Sequence, residues 1–465
     1  MRQAVKCSAK AAVRAFVQLV AGFVAVLPSS SVHAQILLGR TGADEADVPA
    51  PLDPAIPTGA FSIAGVRPAH LPEPPLCSFR SPVCVHRAAG VPESLVITWI
   101  SGLEAAHYRL TRVLGLPGPL PDDDRGGGPA LDVYLAPEEA GVRTEVDAWD
   151  LGIRLDRASA FCVAGTRDYA ISREATLCVA EAIALRLDAS ETPFSRRALA
   201  TDLWLAVGTP TGEDLRALDD FQAHPELATV GRERSRRAEG SALWLEYLNT
   251  TKGGRDPASV SLAAFILSSG EKSIVDLRLN NEPDTVDVLR SNFGATPSDF
   301  ARLLGDFAVR RAFVGSRDTQ GFFPQLRWTS DAGRVRFEWS IPFSSLPRTL
   351  APSRPVEPTG STYLWVSLDG ASPRGALAFV ADWEPPVAFK WTLTVVASDG
   401  KALHTIDVPF LERGTHVERT LSDLEGGVGV LISGTNLGGI GPTYPFDPDF
   451  EPFEPHSYAV YLSKQ

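Results

Sequence analysis

The sequence predicts an α+β protein of two folded parts, a mostly helical part over residues 91–315 and an all-β sandwich of the jelly-roll kind over residues 316–465. Three observations carry that expectation. Helix caps followed by apolar residues at helical spacing recur up to Gly315 and then stop. Beyond Gly315, short segments alternate apolar and polar residues between turn-forming ones, as half-buried antiparallel strands do. Near the front, two strand-like segments lead into a helix that is apolar on every side, an α+β opening.

Met1 to Ala34 has the form of a secretory signal. Arg2, Lys6, Lys10 and Arg14 supply the positive start, Ala15 to Leu27 the apolar run, and Val32-His33-Ala34 a small-residue cleavage site. The run is too short to span a bilayer, and no later segment reaches that length. The expected mature chain begins at Gln35 and is secreted, periplasmic or held in the cell envelope. Residues 35–90 read as a Pro-rich arm ending in a small disulfide loop. Cys7 leaves with the signal, and the remaining Cys77, Cys84, Cys162 and Cys178 allow three pairings. Their order along the chain favours Cys77–Cys84 and Cys162–Cys178.

Composition is that of a folded protein, 44% hydrophobic and 22% charged, with a net charge of −12. An acidic chain without a basic cluster speaks against nucleic acid and anionic membrane surfaces as partners. Only seven of the 44 basic residues are lysines, a bias that suggests a high-GC bacterial genome.

Ser94 to Leu114 has helical spacing, and Ala130–Leu135 and Ala158–Ala164 read as short strands. Ala175 to Leu185 reads as the buried helix. Thr192-Pro193 opens a helix that runs to Val207 and stops at Gly208. Thr211 to Ala223 is amphipathic through Leu215, Leu218 and Phe221, and Asp256-Pro257 opens another helix to Leu267. Thr296-Pro-Ser-Asp299 starts the last one. Strands are then expected at Val335–Ile341, Thr362–Leu368, Leu377–Trp383, Phe389–Val395, Leu403–Val408, Gly429–Ser433 and Ser457–Leu462. Their register needs no helical partner. Trp339, Trp383 and Trp391 lie in phase with Phe, Val and Leu, so core packing is expected of them rather than sugar binding. The acidic, aromatic stretch Phe446 to Glu454 reads as a Pro-stiffened loop, with Ca²⁺ binding as the alternative.

Within the buried helix one residue is out of place. Glu181 is the single carboxylate in Ala175–Leu185, and a buried carboxylate costs several kcal/mol unless it is paired, protonated or bound to a cation. Its surroundings, Ala180-Glu181-Ala182-Ile183-Ala184, have the frame of an HExxH helix, in which two His one turn apart hold zinc beside a general-base Glu. Farther on, Arg236-Arg-Ala-Glu-Gly-Ser-Ala-Leu-Trp-Leu-Glu-Tyr-Leu248 resembles the segment that supplies the third ligand in gluzincin-type zinc peptidases. The order of helix, strands, HExxH-like helix, Glu helix and trailing helices is similar as well. The stretch from about Val91 to Gly315 thus resembles a degenerate gluzincin scaffold, as in a group of secreted bacterial proteins classed with the metallopeptidases.

Carried over residue by residue, the resemblance implies Glu181 at the general-base position and Glu239 at the third-ligand position, with Ala180 and Ala184 where both imidazoles belong. The separation of Ala184 from Glu239 is longer than in the best-known members. Residues His70, His86, His107, His224, His404, His416 and His456 form no i, i+4 pair and read as surface or loop residues. Arg236 and Arg237 are candidates to neutralise the two carboxylates. No G-x-S-x-G elbow, C-x-x-C, P-loop or dinucleotide fingerprint occurs. The expectation is therefore an exported, catalytically inactive metallopeptidase-like protein without bound metal or cofactor, acting on an unknown protein or glycan partner as a binding or structural component. The alternatives are an active hydrolase with other metal ligands and a sandwich that binds a ligand or glycan.

Overall fold

Leu131–Leu135 and Ala158–Ala164, the two short apolar segments ahead of the buried helix, become neighbouring strands of one mixed sheet. In the computed structural model the described residues are 64–465 apart from 69, 70, 72, 151–154, 167–170, 255, 270–282, 322, 324, 325, 327–332, 370, 372–374 and 440–452. The expected signal and most of the Pro-rich arm lie outside them, as does most of the acidic stretch after Phe446.

The first sheet contains β1 (Leu76–Cys77), β2 (Val83–Arg87), β3 (Leu131–Leu135), β4 (Val142–Trp149) and β5 (Ala158–Ala164), in the order β1-β2-β3-β5-β4. The three central strands β2, β3 and β5 are parallel, and β1 and β4 run antiparallel at the edges. Helix α1 (Glu93–Tyr108) connects β2 to β3, and α2 (Ile171–Leu187) follows β5. Strand alternation sends Val83, Val85, Leu131, Val133, Ala160 and Cys162 into one core with Trp99 and Leu103 of α1 and Leu177 and Val179 of α2. Asp132, Tyr134, Phe161 and Val163 occupy the other face, where the three apolar residues form a separate small cluster.

Two boundaries differ from the sequence reading. Residues 35–90 are not all arm, because β2 lies inside that range and pairs with β3 at the heart of the sheet. Its five residues after Pro82 are too short a pattern to stand out. Strand β4 was not expected either, since at an edge it alternates Val142 and Val146 with charged Arg143 and Glu145.

Both disulfides form in the expected pairing. Cys77–Cys84 joins β1 to β2, and Cys162–Cys178 joins β5 to α2.

The helices that follow obey their caps. In α3 (Pro193–Val207) the Thr192 hydroxyl accepts from the Ser195 amide at 3.1 Å, and α4 (Gly212–Ala223) carries a Thr211/Asp214 capping box. The stretch 236–248 is not one helix but α5 (Arg236–Gly240) and α6 (Ala242–Thr251), broken at Ser241. They are followed by α7 (Ser259–Ser268), α8 (Thr285–Phe293) and α9 (Pro297–Arg311). Helix α8 escaped the sequence reading because only Thr285, Val288 and Leu289 of it are buried.

The C-terminal strands are β6 (Trp339–Pro342), β7 (Arg348–Leu350), β8 (Ser361–Ser367), β9 (Leu377–Trp383), β10 (Val387–Ala397), β11 (Ala402–Asp407), β12 (His416–Leu421), β13 (Gly427–Gly439) and β14 (Tyr458–Lys464). They make one sheet ordered β11-β10-β13-β8-β6 and another ordered β12-β9-β14-β7. Among the described residues the protein is thus mixed α+β with three sheets. Leu364 and Val366 of β8, Trp391 and Leu393 of β10, Phe379 of β9 and Val460 of β14 share one core, so these last two sheets close on each other.

These strands are nevertheless covered by the helices on one face. On the other face of the β10-β13-β8 sheet, Val309, Ala312 and Phe313, in and just after α9, cover Tyr363, Val396 and Leu431. Tyr363 Oη donates to the Ala308 carbonyl at 2.7 Å. Val335 joins this layer, and the Arg336 amide bonds the Gln222 carbonyl of α4, so the expected strand at 335–341 begins only at Trp339. The helical and β parts belong to one compact unit. No helix among the described residues is long and apolar enough to cross a membrane.

Candidate functional site

Helix α2 is enclosed on all sides, by the sheet beneath it, by α1 and by α3, and Ala175, Ala180 and Ala184 are fully buried. The alanines let neighbours come close: a Cβ on Gly102 of α1 would stand 3.3 Å from the Ala175 methyl. Positions 180 and 184 therefore present methyl groups to a packed core, with no lone pair for a cation.

Glu181 does not face that core unanswered. Arg197 of α3 places Nη1 3.2 Å from Glu181 Oε1 and Nη2 2.7 Å from Glu239 Oε1, while its Nε lies 2.9 Å from the same Glu239 oxygen. One guanidinium thus bridges both carboxylates singled out in the sequence. The other Glu239 oxygen accepts from Arg173 Nη2 at 2.6 Å. Arg173, at the start of α2, is shared further with Asp214 at 2.7 Å and Glu174 at 2.9 Å. Arg234 approaches Glu181 Oε2 at 3.5 Å from the loop before α5. Asp214 is tied down in turn by Trp204 Nε1 at 3.1 Å and by the Thr211 amide at 2.6 Å.

Local sequence explains these placements. The Ser235 hydroxyl caps α5 by accepting from the Ala238 amide, which orients the short helix that carries Glu239. Gly240 comes next because α5 crosses α4 closely: a Cβ there would lie 2.2 Å from the Ala217 carbonyl oxygen. Arg236 and Arg237 do not neutralise the site. Arg236 reaches Asp220 at the surface, and Arg237 stacks over Phe194. With successive residues turned by about 100°, Arg237 cannot share the face of Glu239 two positions later. The residues missed were Arg173, Arg197 and Arg234. The tandem Arg196-Arg197 inside a mostly apolar helix was the signal that could have found one of them.

Electrostatics follow from this pairing. Burial pushes the Glu239 pKa up, but Arg197 and Arg173 outweigh it and hold the carboxyl at about 2. Burial likewise opposes ionisation of Glu181, and Arg234, Arg197 and the Thr144 hydroxyl reverse the balance, so Glu181 sits below its ordinary value. Burial lowers Arg234, helped by the like charge of Arg197, to about 10. A general base near neutral pH needs a raised carboxyl pKa, and both carboxylates move the opposite way. The cleft beside Glu181, lined by Thr144, Leu185, Pro193, Arg196 and Arg234, holds about 20 Å³, room for one water.

No group of three or more His, Cys, Asp or Glu side chains among the described residues is placed to hold a metal ion. Zinc of the kind the resemblance implies does not fit here, because two ligand positions are methyls and the two remaining carboxylates are engaged by arginines. Two further expectations need correction. His86 is a buried strand residue that binds Asp132 at 2.9 Å and stacks on Tyr134, which the five-residue pattern of β2 concealed. Trp383 and Trp391 are core residues, but Trp339 is 39% exposed, its ring held by the Ala351 carbonyl, because β6 is a sheet edge.

No family model matches the chain, and no curated protein matches it. Among solved structures it is similar to the pre-peptidase C-terminal domain of a collagenase from Bacillus anthracis, at 11% identity and a TM-score of 0.18, over 28% of this chain and 99% of that one. A likeness that slight carries no argument.

Proposed function

We propose that this chain is an exported, catalytically silent relative of the gluzincin peptidases that serves as a binding or structural component outside the cytoplasm, its C-terminal sheets forming a jelly-roll-like sandwich. The observation that carries the reading is Arg197 between Glu181 and Glu239. A zinc peptidase needs a metal held by two imidazoles and a carboxylate, with an open position for water beside the base. Here a guanidinium takes up the charge of both carboxylates, and Ala180 and Ala184 leave nothing for a metal to bind. The chain order of α1, strands, α2 and α5 is the further support.

Purified full-length protein is expected to contain no stoichiometric zinc and to cleave neither casein nor a peptide library above background. Replacing Ala180 and Ala184 by His, together with Arg197→Ala to open the space, is expected to create zinc uptake. Wild-type protein that carries one zinc and loses a peptidase activity on Glu181→Gln would overturn the proposal.

A further inference from the structure

On the face of the first sheet opposite α1 and α2, three aspartates converge on one point. Asp132 is in the middle of β3, Asp147 is on β4, and Asp122 comes from the loop that leads into β3. The β4–β5 ladder slips between Val146 and Ala148, a bulge that re-aims Asp147 toward the others. The loop closes over them tightly, since a Cβ on Gly126 would lie 1.5 Å from Asp132 Oδ2. All three aspartates are at least nine-tenths buried.

The occupant of this nest is Arg67, which belongs to the arm. Its Nε donates to Asp147 Oδ1 at 2.6 Å, its Nη1 to Asp132 and to Tyr134 Oη, and its Nη2 to Asp122. Its guanidinium lies over the Phe161 ring, 5.5 Å from the centroid. Around Arg67 the arm also packs Ala64 against the main core and Leu71 against the Tyr134–Phe161–Val163 cluster. Ala64 forms one isolated parallel bridge with Val146 on the free edge of β4, and the Gly65 amide bonds the Val146 carbonyl at 2.7 Å. Val66, next to Arg67, is 90% exposed. One side chain in a pocket plus main-chain pairing at a sheet edge is how extended peptides are recognised.

The nest holds more negative charge than Arg67 answers. Three carboxylates face one guanidinium, and among the described residues His86 against Asp132 and the half-exposed Arg125 near Asp147, at 3.9 Å, are the other basic groups ion-paired with them. Asp122 Oδ1, on a residue 1% exposed, has no hydrogen-bond partner among the described residues. A buried acceptor left over beside a bound guanidinium marks a pocket whose capacity exceeds its present occupant.

We propose that the Asp122–Asp132–Asp147 nest beside the β4 edge is a receptor site for an arginine on an extended peptide segment of a partner, and that Arg67 fills it in cis. The planar fork of arginine, rather than a lysine ammonium, is the chemistry that three carboxylates, a phenol and an aromatic face select. While Arg67 is in place the site is closed to competitors, so displacement of the arm controls access.

The test uses the full chain with Arg67→Ala. The probes are N-ethylguanidinium and ethylammonium at low millimolar concentration, and the peptide Ser-Ile-Ala-Gly-Val-Arg-Pro with its Arg-to-Lys counterpart. The variant is expected to bind the arginine peptide at least tenfold more tightly than wild type does and to prefer it at least tenfold over the lysine peptide. Its melting temperature is expected to rise with N-ethylguanidinium but not with ethylammonium. Adding Asp147→Asn to the variant is expected to weaken the arginine peptide at least tenfold. Equal binding to wild type and variant, or equal responses to the two cations, would overturn the proposal. Should Arg67→Ala not fold unaided, the same cations are supplied during refolding, and failure of the guanidinium to recover folded protein counts against it.

Discussion

Arg197 does at the scale of one residue what a metal ion does elsewhere: it lets two buried carboxylates stay ionised side by side. Removing one member of a buried ion pair typically costs about 3–5 kcal/mol because the partners are left uncompensated. Arg197→Met is therefore expected to lose about that much at pH 7 while keeping most of the packing volume. The sign with pH follows from the lowered Glu239 pKa of about 2. A depressed carboxyl contributes stability that is present above its unfolded value and is lost as pH falls toward its folded one. The gap between wild type and Arg197→Met, measured by urea unfolding, is thus expected to narrow from pH 7 to pH 3 as the carboxylates are neutralised. An equal gap at both pH values would show that Arg197 acts through packing alone. The sequence made Glu181 conspicuous because one charge in an apolar helix has an obvious cost. It left its partner hidden, since Arg197 lies on another helix and only the crossing of α2 and α3 brings the two together.

Among elements, those whose pattern is local were legible: the helix from Thr192-Pro193 to Gly208 and the strand Leu377–Trp383 stand where their caps and alternation put them. Those whose polarity is set by the edge of a sheet were not. Strands β7 and β12 expose much of their length, and in β4 the charged Arg143, Glu145 and Asp147 interrupt the apolar residues. The Cys162–Cys178 bond ties β5 to α2 and closes a separation of 16 residues, worth about 3 kcal/mol by the loop-entropy estimate. Replacing both cysteines by Ala is expected to lower the free energy of unfolding in urea by about that amount, with a steeper slope because the unfolded chain is no longer held compact. An unchanged slope would mean that the bond acts chiefly on the folded state.

For the whole molecule, the division between helical and β parts is less clean than composition suggests. Gln222 of α4 donates to the Arg311 carbonyl at the end of α9 and to the Gly333 carbonyl, and Glu226 binds Arg336 and Arg354. Residues 321–465 expressed alone lose the cover of Val309, Ala312 and Phe313 over Tyr363, Val396 and Leu431. That piece is expected to self-associate and to bind a hydrophobic dye, as exposed apolar patches do. A monomeric product with one sharp unfolding transition would show that the helical layer is dispensable.

The order of strands in the last sheet also sets a timetable. Strand β14 lies between β9 and β7, both of which precede it in the chain, and among the described residues β7 pairs with β14 alone. During synthesis, then, β7 and one side of β9 leave the ribosome as open edges and wait for Tyr458–Lys464 to close them. A chain halted anywhere before that segment cannot shorten the wait. It carries two unpaired edges of the kind that join to other chains.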